Sequence, residues 1–137
     1  MSNNGYDIRV LPTCSIEDHH AHLLRLDYLD RCLFFSAGSD DHAVDAHCLR
    51  LLSAQAIVIG AYNEGRLRAS IEIVPDRTGR RAAATLIAES GYQSDDLAEA
   101  MIDRAREVAT THRLGPLEFV GMTGTPQTVR NQMARFG

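Results

Sequence analysis

The thirty residues from Ala82 to Thr111 constrain the fold of this chain more tightly than any other stretch. Ala82 to Glu89 is a short apolar run closed by a carboxylate, long enough for a buried strand and too short for a helix. Ser90-Gly91-Tyr92-Gln93-Ser94 interrupts it with turn-forming residues. Asp95 or Asp96 then supplies an N-cap, and Glu99 stands three residues beyond Asp96 in capping-box spacing. From Leu97 to Thr111 the apolar residues Leu97, Met101, Ala105, Val108 and Ala109 recur at helical intervals, with most charges elsewhere. A strand, a tight loop and an amphipathic helix in this order aim backbone N–H groups and the positive end of a helix at one point.

The flanking segments supply a sheet for this unit. Asp7 to Leu11 alternates and stops at Pro12, which predicts a short first strand. Thr13 or Ser15 caps a helix over roughly Ile16 to Arg31, burying Ile16, His20 or Leu23, Leu24 and Leu29. Ser39 or Asp40 caps a second helix to about Leu52, with Ala43, Val44, His47 and Leu51 on one stripe. Ala56 to Tyr62 reads as the strongest strand, and Asn63-Glu64-Gly65 as a tight hairpin turn. From Arg66 to Val74 the alternation puts Leu67, Ala69, Ile71 and Ile73 on one face and Arg66, Arg68, Ser70 and Glu72 on the other. Strands two to four then form an antiparallel meander. Gly115 and Pro116 end the central helix, a strand follows over Leu117–Met122, and a last helix over Gln127–Arg135.

At 137 residues the chain reads as one domain, residues 1–137, able to bury a core without disulfides or metals. A formal charge of −4 argues against a general nucleic-acid or anionic-membrane binder. No apolar run approaches the length of a membrane span, and the N-terminus lacks the pattern of a signal peptide. Cys14, Cys32 and Cys48 are odd in number and widely spaced, which suits reduced thiols in the cytoplasm. All 14 basic residues are arginine, so the chain has no lysine side chain on which to acylate itself.

The order strand, two helices, three-strand meander, Gln-containing loop, helix and strand resembles the GNAT superfamily of N-acetyltransferases. That family's loop reads Gln/Arg-x-x-Gly-x-Gly/Ala, and the matching residues here are Gln93-Ser94-Asp95-Asp96-Leu97-Ala98. Asp30-Arg31-Cys32-Leu33-Phe34-Phe35-Ser36 is similar to an Arg-Phe-Phe-Ser segment of one bacterial branch. The resemblance implies an α/β fold with a mixed, mostly antiparallel sheet in β-α-α-β-β-β-α-β-α order. It also implies acetyl-CoA as co-substrate, held by the backbone of Leu86–Ala88 and by Gln93, Ser94, Asp96 and Ala98, with transfer to a small-molecule or protein amine. Gln93 and Ala98 fit the family pattern. Asp96 stands where the family has Gly, and it adds a side chain and a negative charge beside the expected pyrophosphate. Members usually continue into two further strands; without them the Leu117–Met122 edge would be an unpaired template, and a two-fold homodimer is expected.

Acyl transfer from a thioester needs a base for the amine, a donor for the carbonyl and a proton for the thiolate. The resemblance points to Glu89, at the end of the fourth strand, and Glu72, on the third, as candidate bases. The alternative for Glu89 is a solvated strand end. Arg80 and Arg81 are candidates for a phosphate or for a charged hairpin tip, and Tyr28, Tyr62 and Tyr92 are candidate proton donors. His19, His20 and His22, with His42, His47 and Cys48, suggest metal ligands, but their spacing on one helix does not converge three imidazoles. They read as surface or half-buried histidines, and no metal is expected. Two functions follow: an acetyl-CoA-dependent N-acetyltransferase, or a catalytically silent binding domain of the same fold that has lost its pyrophosphate loop.

Overall fold

The computed structural model describes residues 5–12, 16–35 and 40–122. Nine elements follow in chain order: β1 (Asp7–Val10), α1 (Ile16–Leu24), α2 (Tyr28–Phe34), α3 (Asp41–Ser53), β2 (Ile57–Asn63), β3 (Arg66–Pro75), β4 (Ala82–Ala88), α4 (Asp95–Thr111) and β5 (Leu117–Met122). The strands lie in sequence order in one sheet. β1 to β4 are antiparallel to their neighbours, and β5 runs parallel to β4 after the crossover through α4. The α/β fold and its mostly antiparallel sheet are as the sequence suggests. The expected helix over Gln127–Arg135, and Thr13 and Ser15 as caps, lie outside the described residues.

Local chemistry explains the corners. Glu64 and Gly65 join β2 to β3 with φ of 53° and 80°, the two positive values that a type I′ hairpin turn requires. Asp40 caps α3 by accepting from the Ala43 amide. α4 is capped by Ser94, whose side chain accepts from the Leu97 amide, so Asp95 and Asp96 fall inside the first turn rather than at the cap. The left-handed residue after α4 is Arg113, with φ of 57°, and not Gly115. Gly115 has another use: a Cβ there would lie 1.3 Å from the Arg80 carbonyl oxygen, so the chain passes the β3–β4 turn only without a side chain.

The alternation in β3 and β4 divides the core into two. Ala69, Ile71 and Ile73 of β3 and Ala82, Ala84, Leu86 and Ala88 of β4 face α4, where Leu97, Ala98, Met101, Ile102, Ala105 and Val108 close an apolar layer. On the other face a smaller cluster of Leu23, Leu26, Phe35, Ala43, Val44 and Cys48 meets Ile87. Beside it lie Ser70, Glu72 and Glu89, all buried.

The expected single helix over Ile16–Arg31 is two. α1 ends at Leu24, and α2 starts at Tyr28. At the break Arg25 reaches the sheet, donating from Nε to Glu89 and from Nη2 to the Leu67 carbonyl. The buried stripe also differs from expectation. His19, His22 and Leu23 are fully buried and Leu26 nearly so, whereas Leu29 is exposed.

Candidate active site

Two sets of residues meet at the C-terminal end of β4, one on each face. On the α4 face, Leu86, Ala88, Gln93, Ser94 and Ala98 all line one small cavity, together with Ala69, Tyr92, Leu97 and Met101. Five of the six expected co-substrate residues are therefore neighbours. The sixth, Asp96, is exposed in the first turn of α4 and does not line the cavity. Gln93 donates from Nε2 to the Ala88 carbonyl, tying the loop to the strand end. The cavity measures about 10 Å³, room for at most one water.

The α1 face carries the two expected carboxylates, and neither is a solvated strand end. Glu72 accepts from Nε2 of His19 at 2.7 Å and from Nε2 of His47 at 2.8 and 2.9 Å. Burial pushes its carboxyl up, but the bonds from His19 and His47 outweigh burial and hold it at about 2. Glu89 accepts from Nδ1 of His22 at 2.9 Å, from Nε of Arg25 through both oxygens, and from Nη1 of Arg68 at 3.0 Å. Burial pushes it up too, and His22, Arg68 and Arg25 together hold it below the usual carboxylate range.

A carboxylate only accepts, so His22 carries its proton on Nδ1. Burial, with the charges of His19 and Arg25, lowers the His22 pKa more than Glu89 raises it, so Nε2 keeps a lone pair for the Ser70 hydroxyl, 3.1 Å away. Ser70, His22 and Glu89 thus follow the order of a nucleophile–base–acid triad. Ser70 and His22 have no exposed surface, however, so no substrate reaches that hydroxyl. The arrangement fixes the histidine's tautomer and leaves Glu89, itself 5% exposed, as the member whose other partners, Arg25 and Arg68, reach solvent.

The other candidates disperse. Tyr62 donates to Asp18, and burial with that bond raises its pKa to about 12, which makes it a poor acid. Tyr92 packs edge-on against Tyr6 and under the guanidinium of Arg68. Tyr28 is exposed on α2, and Arg80 and Arg81 are exposed at the β3–β4 turn. Cys48 is buried, and burial with the charges of Glu72 and Asp45 raises its thiol to about 11. Among the described residues no group of three or more His, Cys, Asp or Glu is arranged to hold a metal ion, and no helix is long and apolar enough to cross a membrane. His20 and His47 are half-buried and His42 is exposed, as expected, but His19 and His22 depart from that reading and are core residues. A signal for this was present, because positions 19, 22, 23 and 26 form an i, i+3, i+4, i+7 stripe once histidine is allowed to face inward.

Solved structures share this architecture. An acetyltransferase of the GNAT family from Streptococcus pneumoniae superposes with a TM-score of 0.65 at 15% identity, over 96% of this chain and 83% of its own. The ribosomal-protein-S5-alanine acetyltransferase of Vibrio fischeri gives 0.69 at 9% identity, over 100% and 81%. The chain has the GNAT fold. A predicted acetyltransferase from Clostridium acetobutylicum, solved with acetyl-CoA, gives 0.64 at 16% identity, over 96% and 88%. No family model and no curated protein matches the sequence. In the GNAT fold of this chain, β4, the loop at Gln93 and the start of α4 form one unit, with the apolar cavity on one face and Glu89 on the other.

Proposed function

We propose that the chain, as one domain of the cytoplasm, is an acetyl-CoA-dependent N-acetyltransferase acting on an amine. The gathering of Leu86, Ala88, Gln93, Ser94 and Ala98 around one cavity at the β4–α4 junction carries this reading. At the start of α4 Ser94 takes the Leu97 amide, and the Asp95 and Asp96 amides, which a helix start leaves without intrahelical partners, suit a pyrophosphate. Asp95 and Asp96 are exposed and form no ion pair among the described residues, which leaves their side chains able to turn away. Acetyl-CoA supplies the activated acyl group; the protein's part is to hold it along β4, orient the amine and accept a proton.

Glu89 is the carboxylate we assign to that proton, with His22 and Ser70 fixing it from behind. Its donors hold it ionised, so it can receive a proton, but they also make it a weak base, which suits transfer through water. Glu72, 3% exposed against 5% for Glu89, is bonded to two histidines rather than to partly exposed arginines, and we assign it to holding α1 and α3 on the sheet rather than to the amine. We further propose a two-fold dimer through β5, which with β1 is one of the two edge strands among the described residues. A monomer by light scattering at micromolar concentration would remove the dimer.

One observation favours the second reading, a silent binding domain: the cavity as it stands has no room for pantetheine. Calorimetric titration of acetyl-CoA and free CoA separates the two. Micromolar binding supports the transferase, and an acceptor screen with Glu89→Gln as control follows. Absence of binding at millimolar ligand sinks it.

A further inference from the structure

We propose that Arg25 and Arg68 form a carboxylate clamp, so that the amine acceptor is one that also bears a carboxylate, as an α-amino acid does. The acceptor role rests on the acetyltransferase reading; the clamp itself rests on geometry. Arg25 Nε and Arg68 Nη1 both donate to Oε1 of Glu89, at 3.1 and 3.0 Å. Sharing one oxygen brings both guanidiniums to the same end of one carboxylate. Arg25 is tied further by Oε2 of Glu89 and the Leu67 carbonyl, and Arg68 by the ring of Tyr92, 5.2 Å from its Cζ.

Charge and donors are both left over. Two guanidiniums face one carboxylate, and His22 behind them is kept neutral by burial. One positive charge remains unbalanced in this group, in a chain whose formal charge is −4. A single arginine would have neutralised Glu89. Among the described residues Arg25 Nη1 and Arg68 Nη2 meet no protein acceptor, and Arg68 Nε is buried without one. The Arg25 and Arg68 side chains are 31% and 21% exposed, so the pair reaches solvent where Ser70 and His22 do not. Adjacent, pre-positioned guanidinium N–H groups match the two oxygens of a carboxylate.

The face decides which anion belongs there. The expected co-substrate residues line the cavity on the α4 face, and the helix start beside them suits phosphate. Glu89, Arg25 and Arg68 lie on the opposite face, under α1. A carboxylate held there leaves the α4 face to the nucleotide, and its neighbouring amine lies on the side of Glu89.

The test is calorimetric titration of a panel of L-amino acids and their carboxamides into the full chain, with and without free CoA. Wild type is compared with Arg68→Gln and Arg25→Gln, each checked for fold by circular dichroism. At least one amino acid binds about tenfold more tightly than its amide, as a charge-assisted pair requires, and the difference collapses in either variant. Arg68→Lys, which keeps the charge and loses the planar fork, restores it only in part. Amides binding as well as acids, or no amino acid binding at millimolar concentration, overturns the clamp. So does a result in which inorganic phosphate and CoA, but not amino acids, depend on Arg68, because the site then belongs to the nucleotide. Since binding is read without turnover, amino-acid binding in a protein that ignores acetyl-CoA overturns the transferase and leaves the clamp standing.

Discussion

The two faces of the sheet are held by opposite chemistry. On the α4 face every residue of the main cluster is apolar, and α4 lies on β2, β3 and β4 through Leu97, Met101, Ala105 and their neighbours. On the α1 face two of the three buried residues of α1 are histidines, and each is bonded to a carboxylate of the sheet. An apolar interface is tolerant of direction; a bonded carboxylate is not. The α4 face supplies cohesion, and the α1 face fixes where α1, α3 and Arg25 sit relative to the end of β4. The two also differ in their response to protons, because only one contains groups that titrate.

The largest expected effect comes from the polar face. Glu72→Ala leaves the buried ring of His19 and the half-buried ring of His47 without their acceptor, and breaking a buried pair by removing one partner costs about 3–5 kcal/mol. Met101→Ala on the apolar face, at a site with no exposed surface, costs about 3 kcal/mol through lost burial and a cavity. Chemical denaturation midpoints of the two variants check the ranking. A larger loss for Met101→Ala would mean that the histidine–carboxylate network adds little cohesion.

Acid sharpens the contrast. Glu72 is held at about 2 in the fold against an ordinary 4.5, so its contribution is complete above pH 4.5 and is lost as pH falls toward 2. A shift of that size corresponds to about 3 kcal/mol. Glu89 is depressed in the same direction and adds to the acid limb. His22 is also depressed, which means that the unfolded chain takes up a proton below pH 6.5 that the fold resists; its contribution too declines as pH falls. Stability measured from pH 7 to pH 3 should therefore fall steeply for wild type and for Met101→Ala alike, and less steeply for Glu72→Ala. Parallel curves for all three would show that the acid limb arises elsewhere.

The same contrast explains what was legible beforehand. Apolar alternation in β2, β3 and β4 and the heptad-like spacing in α4 are local, and they gave the meander and the crossover directly. The hairpin at Glu64-Gly65 was equally readable. The polar face was not. His19 meets Glu72 across 53 residues of chain and His22 meets Glu89 across 67, and no local window contains both members of either pair. The break between α1 and α2 was hidden for the same reason, since no Pro or Gly marks it and Arg25, which sits at the break, meets Glu89 across 64 residues of chain. Gln93, Ser94 and Ala98 could be placed by their resemblance to a loop motif, whereas Arg25 and Arg68 have no motif and emerge only when the carboxylate they share is seen.

The smallest effect lies where the faces meet. Ser94 ends the loop from Glu89 and begins α4, and its hydroxyl accepts from the Leu97 amide at 3.2 Å. Removing that cap by Ser94→Ala should cost about 1 kcal/mol. Asp95 and Asp96 stay in the first turn, where their charges favour the helix start, so the helix should survive the change. The loop, however, also lines the cavity through Tyr92, Gln93 and Ser94. If the α4 start binds a pyrophosphate, the loss should weaken acetyl-CoA binding beyond what the small stability change explains, while amino-acid binding on the other face stays as in wild type. Equal weakening of both ligands would mean that the two faces act as one site rather than as two.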